Sequence, residues 1–288
     1  MRSHVLALAL ALPAAAGCSA TVSGSGAGDA EPRLLTSAVV VVERMVDAAG
    51  SSHAEASARF VRVAAPTSTE EALRAIGATL TLPPAGQCVP FASLSAGSPV
   101  GEPAPVVELV DVGFVSVDAD GRQTRLVSRL LPDVTDVVSG VVYAKTADPG
   151  LLPSAGLYTL RVGGRADVPA FEVSAQAPPD PADVSLDATD PDGTLVVNQP
   201  SIRFSWPPSV DGDLVYVDVQ PGALRCTLAG RVATDPALIQ ASLPTAALGD
   251  SGTLTIHRLR SEPLVSQGIE GGELRFDFGR SLAYVRRQ

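Results

Sequence analysis

Histidine and cysteine, the side chains most suited to moving a proton near neutral pH or holding a transition metal, are few and widely spaced in this chain. Three histidines occur among 288 residues: His4, His53 and His257. His257 ends the run Thr253-Leu254-Thr255-Ile256-His257, and strand alternation places it on the threonine side, which is expected to be wet. His53 closes Gly50-Ser51-Ser52-His53, a composition suited to a hairpin tip. Nucleophilic catalysis needs a base in reach of its nucleophile, and no Gly-x-Ser-x-Gly elbow occurs. His-Glu-x-x-His is missing too, as is a Gly-x-x-x-x-Gly-Lys phosphate loop, and the only lysine is Lys145. Carboxylates are plentiful, at 31. Paired acids can hydrolyse glycosides, but they need aromatic platforms for the sugar, and there are only seven Phe, four Tyr and one Trp. A carboxylate-based hydrolase is thus the weakest reading.

Asp187, Asp190 and Asp192 crowd one loop, while Asp118 and Asp120 flank another. Hard oxygen ligands at such spacing suit calcium, yet neither loop has the twelve-residue pattern ending in Glu, and hairpin turns favour the same residues. No metal site or cofactor is assigned. Asp187, Asp190 and Asp192 remain the residues on which a calcium-dependent adhesion or ligand-binding module would rest. Cys88 and Cys226 have two readings. They form a disulfide if their α-carbons come within ~7 Å; otherwise Cys88 is a loop thiol and Cys226 a small core residue.

The elements that must position these residues are strands. Phe171-Glu172-Val173-Ser174-Ala175, Ile202-Arg203-Phe204-Ser205-Trp206 and Leu274-Arg275-Phe276-Asp277-Phe278 all alternate with period two, so each is expected to bury one face and wet the other. Turn formers lie between such runs: Asp118-Ala119-Asp120-Gly121, Val162-Gly163-Gly164-Arg165, Asp190-Pro191-Asp192-Gly193 and Asp211-Gly212-Asp213. Gly and Pro are abundant, at 26 and 24 residues, without the three-residue period of collagen. Helix is scarce. The best candidate is Thr69 to Ile76, with Ser68 and Glu71 at capping-box spacing and Gly77 as a stop; a second short turn is expected at Asp235-Pro236. The net charge of -10 removes the usual electrostatic source of nucleic-acid binding, and no nucleotide site is expected.

The N-terminus carries Arg2, an apolar run from Val5 to Leu12, small residues and then Cys18. That run is too short to span a bilayer, which needs ~20 apolar residues. Ala15-Ala16-Gly17-Cys18 resembles the lipobox of bacterial lipoproteins. The resemblance covers only the leader, and it implies cleavage before Cys18 and acylation of its thiol. Two or three acyl chains, each buried methylene contributing ~0.8 kcal/mol, hold a folded body on a membrane stably. The stretch SATVSGSGAGDAE that follows is small and polar, as a tether should be. Further on, Ile202 to Pro208 followed by Leu214 to Val219 resembles two strands of a fibronectin type III or related immunoglobulin-like module. In that family the tryptophan is a core residue, which implies a structural Trp206.

Gln176-Ala177-Pro178-Pro179-Asp180-Pro181 cannot join a sheet interior and marks the expected boundary. The chain then reads as a signal peptide (1–17), a lipidated Cys18 and flexible tether (18–36), a β-sandwich (37–176), a Pro-rich linker (177–182) and a second, fibronectin III-like sandwich (183–288). The expected class is all-β with two tandem immunoglobulin-like sandwiches and very little helix. The expected role is non-enzymatic: an exported, lipid-anchored protein of the bacterial cell envelope, at the outer membrane or cell surface, structural or binding another envelope protein. Strand addition at a sheet edge is one mode open to it.

Overall fold

The structure is a computed structural model that describes residues 35–63, 67–94, 107–134, 138–165, 168–187, 193–209, 212–233 and 237–287. The leader, Cys18, Asp190, Asp192 and Asp235-Pro236 lie outside the described residues.

The strands before the Pro-rich segment are β1 (Leu35–Val46), β2 (Ser52–Val63), β3 (Cys88–Pro90), β4 (Val107–Leu109) and β5 (Val115–Ala119). They continue with β6 (Arg122–Arg125), β7 (Val127–Val134), β8 (Val138–Ala147), β9 (Leu157–Val162) and β10 (Phe171–Gln176). After it come β11 (Ser185–Leu186), β12 (Leu195–Val197), β13 (Ser201–Trp206), β14 (Leu214–Gln220) and β15 (Leu224–Thr227). The last are β16 (Arg231–Val232), β17 (Ile239–Pro244), β18 (Ser251–Pro263) and β19 (Gly271–Arg286). The helix expected near Thr69 forms as α1 (Thr69–Ala75), with both hydrogen bonds of the Ser68–Glu71 capping box and Gly77 at φ 64° beyond it. The Asp-Gly turn also forms as read: Asp120 and Gly121 take φ 49° and 76° between β5 and β6, the pair of positive values a tight hairpin requires.

One 11-stranded sheet runs in the order β3-β15-β14-β18-β19-β1-β2-β4-β8-β7, with β12 beside the end of β19. Two four-stranded sheets, β10-β9-β5-β6 and β11-β13-β17-β16, form second layers on it. Val42, Phe276 and Phe278 of the large sheet pack with Val117, Tyr158 and Leu160 of the first small sheet. Val217, Ile256 and Tyr284 pack with Phe204, Trp206 and Leu243 of the second. Burial of each such side chain contributes ~1.5–3 kcal/mol, so both sandwiches have a core that can hold them. The fold is all-β, and Trp206 is a core residue.

The Pro-rich segment separates two apolar cores but not two sheets. The first core takes in Ala177 and the second begins at Val184. The long β18–β19 ribbon nevertheless serves both, because Leu274, Phe276 and Phe278 of β19 enter the first core while Leu282 and Tyr284 enter the second. β1 pairs parallel with β19 from Ser37↔Gly271 to Val46↔Arg280, joining strands from the two ends of the described chain. Residues 33–288 therefore form one compact unit. Arginines on the inner face clamp the crossing segment. Arg44 holds Asp180 at 3.2 Å, Arg258 holds Asp183 at 2.8 Å, and Arg260 donates to the Gln176 carbonyl at 3.0 Å. The linker is thus tied down along its length by charge-assisted hydrogen bonds.

Candidate functional site

The outer face of the large sheet departs from the expected wet surface. Across it, register sets Glu43 of β1 beside Asp277 of β19, Gly279 beside His257 of β18, and His257 beside Tyr216 of β14. Asp218 and Arg225 follow one residue pair along. Tyr216, His257 and Asp277 are buried and Asp218 and Arg225 half-buried, because α1 and the segment leading to β3 cross the same face, while Glu43 stays exposed at its margin. Val39 and Val41 meet Leu73 and Ile76 of α1, Arg275 donates to the Ala78 carbonyl, and Gly86 then joins Thr227 on β15. Leu274 to Phe278 is consequently buried on both sides, where alternation alone predicts one wet face. His257 is likewise covered, at 8% exposure, correcting its expected exposure to water.

The polar groups satisfy one another. Asp277 meets His257 Nδ1 at 2.9 Å and accepts from the Tyr216 hydroxyl at 2.5 Å. The His257 ring stacks on Tyr216 at 4.3 Å, and its Nε2 faces Asp218 at 3.7 Å. Arg225 donates two hydrogen bonds to Asp218, at 2.8 and 2.7 Å, and lies over the rings of Tyr216 and Phe91. Both His257 nitrogens face carboxylates, and the nearby Thr255 and Ser281 hydroxyls bond each other at 2.9 Å. An acid–base–nucleophile order is not what this geometry offers; it is a buried polar network.

Burial alone would raise the Asp277 pKa, but the His257 and Tyr216 hydrogen bonds and the Arg225 charge hold it below the usual carboxylate value. Burial pushes the Tyr216 hydroxyl well up, with the Asp277 charge adding to it. Glu43 shifts the other way from Asp277. Desolvation, then the Asp277 and Glu55 carboxylates, raise its pKa above 4.5. A carboxyl raised on folding opposes the folded state when ionised and ceases to do so once pH falls below its unfolded value. Glu43 is solvent-exposed, so the effect is screened. Glu43→Gln is expected to stabilise by about 0.5 kcal/mol or less at neutral pH and to be neutral near pH ~3.5. Thermal melts at the two pH values test this, and a destabilised variant at neutral pH would contradict it.

The most accessible feature is the opposite end of the sheet. β7 is its terminal strand and pairs only with β8, from Val127↔Ala144 to Leu131↔Gly140. Residues 127–131 are exposed on both faces, Leu130 at 77% and Val127 at 50%. Among the described residues no backbone group takes the outward side of this stretch. The chain enters β7 from β6, the edge strand of the first small sheet, through buried Leu126, so edges of both layers meet on one flank. A cavity of about 440 Å³ opens between them, lined by Phe114, Arg125, Val127, Tyr143 and Arg165 among others. Asp111 braces its wall. It accepts from Gly113 N–H and the Tyr143 hydroxyl, both at 2.9 Å, and pairs with Arg165 at 2.5 Å. The Gly113 bond and then Tyr143 hold the Asp111 carboxyl below its usual pKa against some desolvation, and burial with the Asp111 bond pushes Tyr143 up to about 12. Phe114, 46% exposed, lies over Gly163, where a Cβ would meet its ring at 2.3 Å.

No family model matches the chain, and no curated protein does. Among solved structures it is similar to the three-domain Ig ectodomain of mouse nectin-like molecule 4, at 10% identity and a TM-score of 0.23, covering 88% of this chain and 66% of that one. It is also similar to the Mu homology domain of Danio rerio Fcho1 with bound Eps15 peptide, at 10% identity and a TM-score of 0.22, covering 87% and 97%. Likenesses this loose carry nothing about activity.

The residues singled out from sequence fall as follows. Cys88 and Cys226 are bonded, with α-carbons 4.0 Å apart. This resolves their two readings and fastens β3 to the β15 edge. Asp187 pairs with Arg203 at 2.5 Å; its expected companions Asp190 and Asp192 are outside the described residues. Asp118 pairs with Arg161 at 3.2 Å, and His53 sits exposed just inside β2, opposite Met45. Sequence reasoning passed over Asp277, Tyr216, Asp218, Arg225, Phe114 and the β7 edge. The signal for the first four was the alternating runs of β14, β15 and β19, each setting a charged or phenolic residue between apolar ones. For β7 it was the adjacent Leu130 and Leu131 between Arg129 and Pro132.

Proposed function

We propose that this protein is a non-enzymatic, lipid-anchored and exported member of the bacterial cell envelope whose folded part binds another envelope protein. The observation that carries the binding role is the β7 edge, two-sided in its exposure and bordered by a cavity. Exposed edges with unpaired backbone groups are normally blunted in proteins that stay alone. The anchor rests on the lipobox-like leader and Cys18. The self-satisfied state of the His257 network supports a role without catalysis, and the Asp187–Arg203 pair leaves that carboxylate less suited to calcium.

Two measurements test this. Labelling cells with a palmitate analogue is expected to mark the wild-type protein and not Cys18→Ala. A photo-cross-linking residue at Ser128 is expected to trap an envelope protein in intact cells, whereas the same residue at exposed Val265, away from the edge, is not. Label retained by Cys18→Ala defeats the anchor, and equal silence at both positions defeats the binding role.

A further inference from the structure

We infer that the partner segment taken up by β7 is an extended acidic peptide that lengthens the sheet, seats one apolar side chain in the Phe114–Val127 cavity and lays carboxylates against Arg125 and Arg129; this rests on the binding role of the same edge. The chain carries a net charge of -10, yet Arg125 and Arg129 come together on this flank. Arg125 stands 5.7 Å over the Phe114 ring, and neither it nor exposed Arg129 has a carboxylate partner among the described residues. Arg165 at the cavity rim is neutralised by Asp111, which leaves Arg125 and Arg129 as the cations offered to a partner. An incoming strand finds a row of main-chain groups, a hollow lined by Phe114 and Val127 with Arg125 in its wall, and Arg129 further along β7. Main-chain bonds supply affinity in this mode, and the flanking pocket and charges select the sequence.

The same features disfavour other occupants. A second copy of the chain adding β7 to β7 would bring the arginines of both copies onto one small surface, where like charges repel. A lipid surface would attract the arginines and leucines but would leave the edge N–H and C=O groups without partners in hydrocarbon. An acidic strand satisfies backbone, cavity and charge together.

The test uses the full Cys18→Ala chain, which lacks the acyl anchor, and fluorescent eight-residue peptides of alternating Glu and Val or alternating Lys and Val. The acidic peptide is expected to bind at least about tenfold more tightly at low salt and to weaken as salt rises. Alternate N-methylation of its amides is expected to abolish binding, since strand addition needs those N–H groups. Arg125→Glu with Arg129→Glu is expected to reverse the preference, and an unchanged circular dichroism spectrum and Tm would show that the fold survives. Equal binding of both peptides, no binding of either, or indifference to N-methylation overturns the inference. So does sedimentation of the chain as a β7-dependent dimer, or binding to phosphatidylglycerol vesicles that the arginine variant loses. If Ser128 still cross-links to a partner in cells while the peptides show no charge preference, only the acidic identity falls. Silence in both assays removes the binding role as well.

Discussion

Reducing the Cys88–Cys226 bond is expected to destabilise the fold by roughly 5 kcal/mol. The bond closes a loop spanning 138 residues, and loop entropy in the unfolded chain sets that scale. The local consequence is equally specific. β3 is only three residues long and pairs at the outer edge of β15, so the disulfide is its principal fastening. Released, the stretch from Ala78 to Pro90 would lose its far attachment, while α1 would stay docked on Val39 and Val41. Wild-type protein melted with and without reductant is expected to differ by on the order of 10 °C, and amide exchange is expected to rise first in residues 78–90. Cys88→Ala provides a second route, because Cys226 is buried in the second core and its replacement would mix packing loss with bond loss. A melting temperature unmoved by reductant would show that the edge holds without the bond.

Asp277→Ala is expected to destabilise by about 3 kcal/mol, the effect of leaving buried donors without their charged acceptor. The variant leaves the Tyr216 hydroxyl and His257 Nδ1 without their acceptor inside a covered face. Tyr216→Phe, which keeps Asp277 and His257 together, is expected to lose only about 1 kcal/mol. The pH dependence follows from the depressed Asp277 pKa. Its stabilising contribution is fully present above the unfolded value near 3.8 and is lost as pH falls through the lower folded value. Denaturant titrations of wild type and Asp277→Ala should therefore converge as the solution is acidified well below the unfolded value. A constant gap between the two down to that acidity would assign the loss to packing instead.

The legibility of this chain divides along the range of the interactions involved. The α1 cap at Ser68 and Glu71, the turn at Asp120-Gly121 and the alternation of β13 rest on contacts within a few residues, and each formed as its local sequence dictates. His257 and the Leu274–Phe278 run were misjudged as half wet for a definite reason. Alternation says which residues share a face, whereas whether that face meets water depends on what crosses it, here α1 and the strap that the disulfide fastens. The Pro-rich segment, expected as the boundary between two sandwiches, joins no strand beyond Gln176, and the apolar core changes across it. What local reading could not contain is that β1 and β19, at the two ends of the described chain, lie side by side and carry one sheet past it.

Sequence by itself determined an all-β, turn-rich, acidic chain, because those properties are set by composition and by neighbours along the backbone. Only the tertiary structure decided that two cores share one ribbon, that Cys88 meets Cys226, that Asp277 and His257 are covered, and that β7 ends the large sheet with its outward side open among the described residues. Each of these is a pairing between distant residues. Many strands have similar alternation, and which two lie together is settled by the closure of the whole fold, not by any stretch within it.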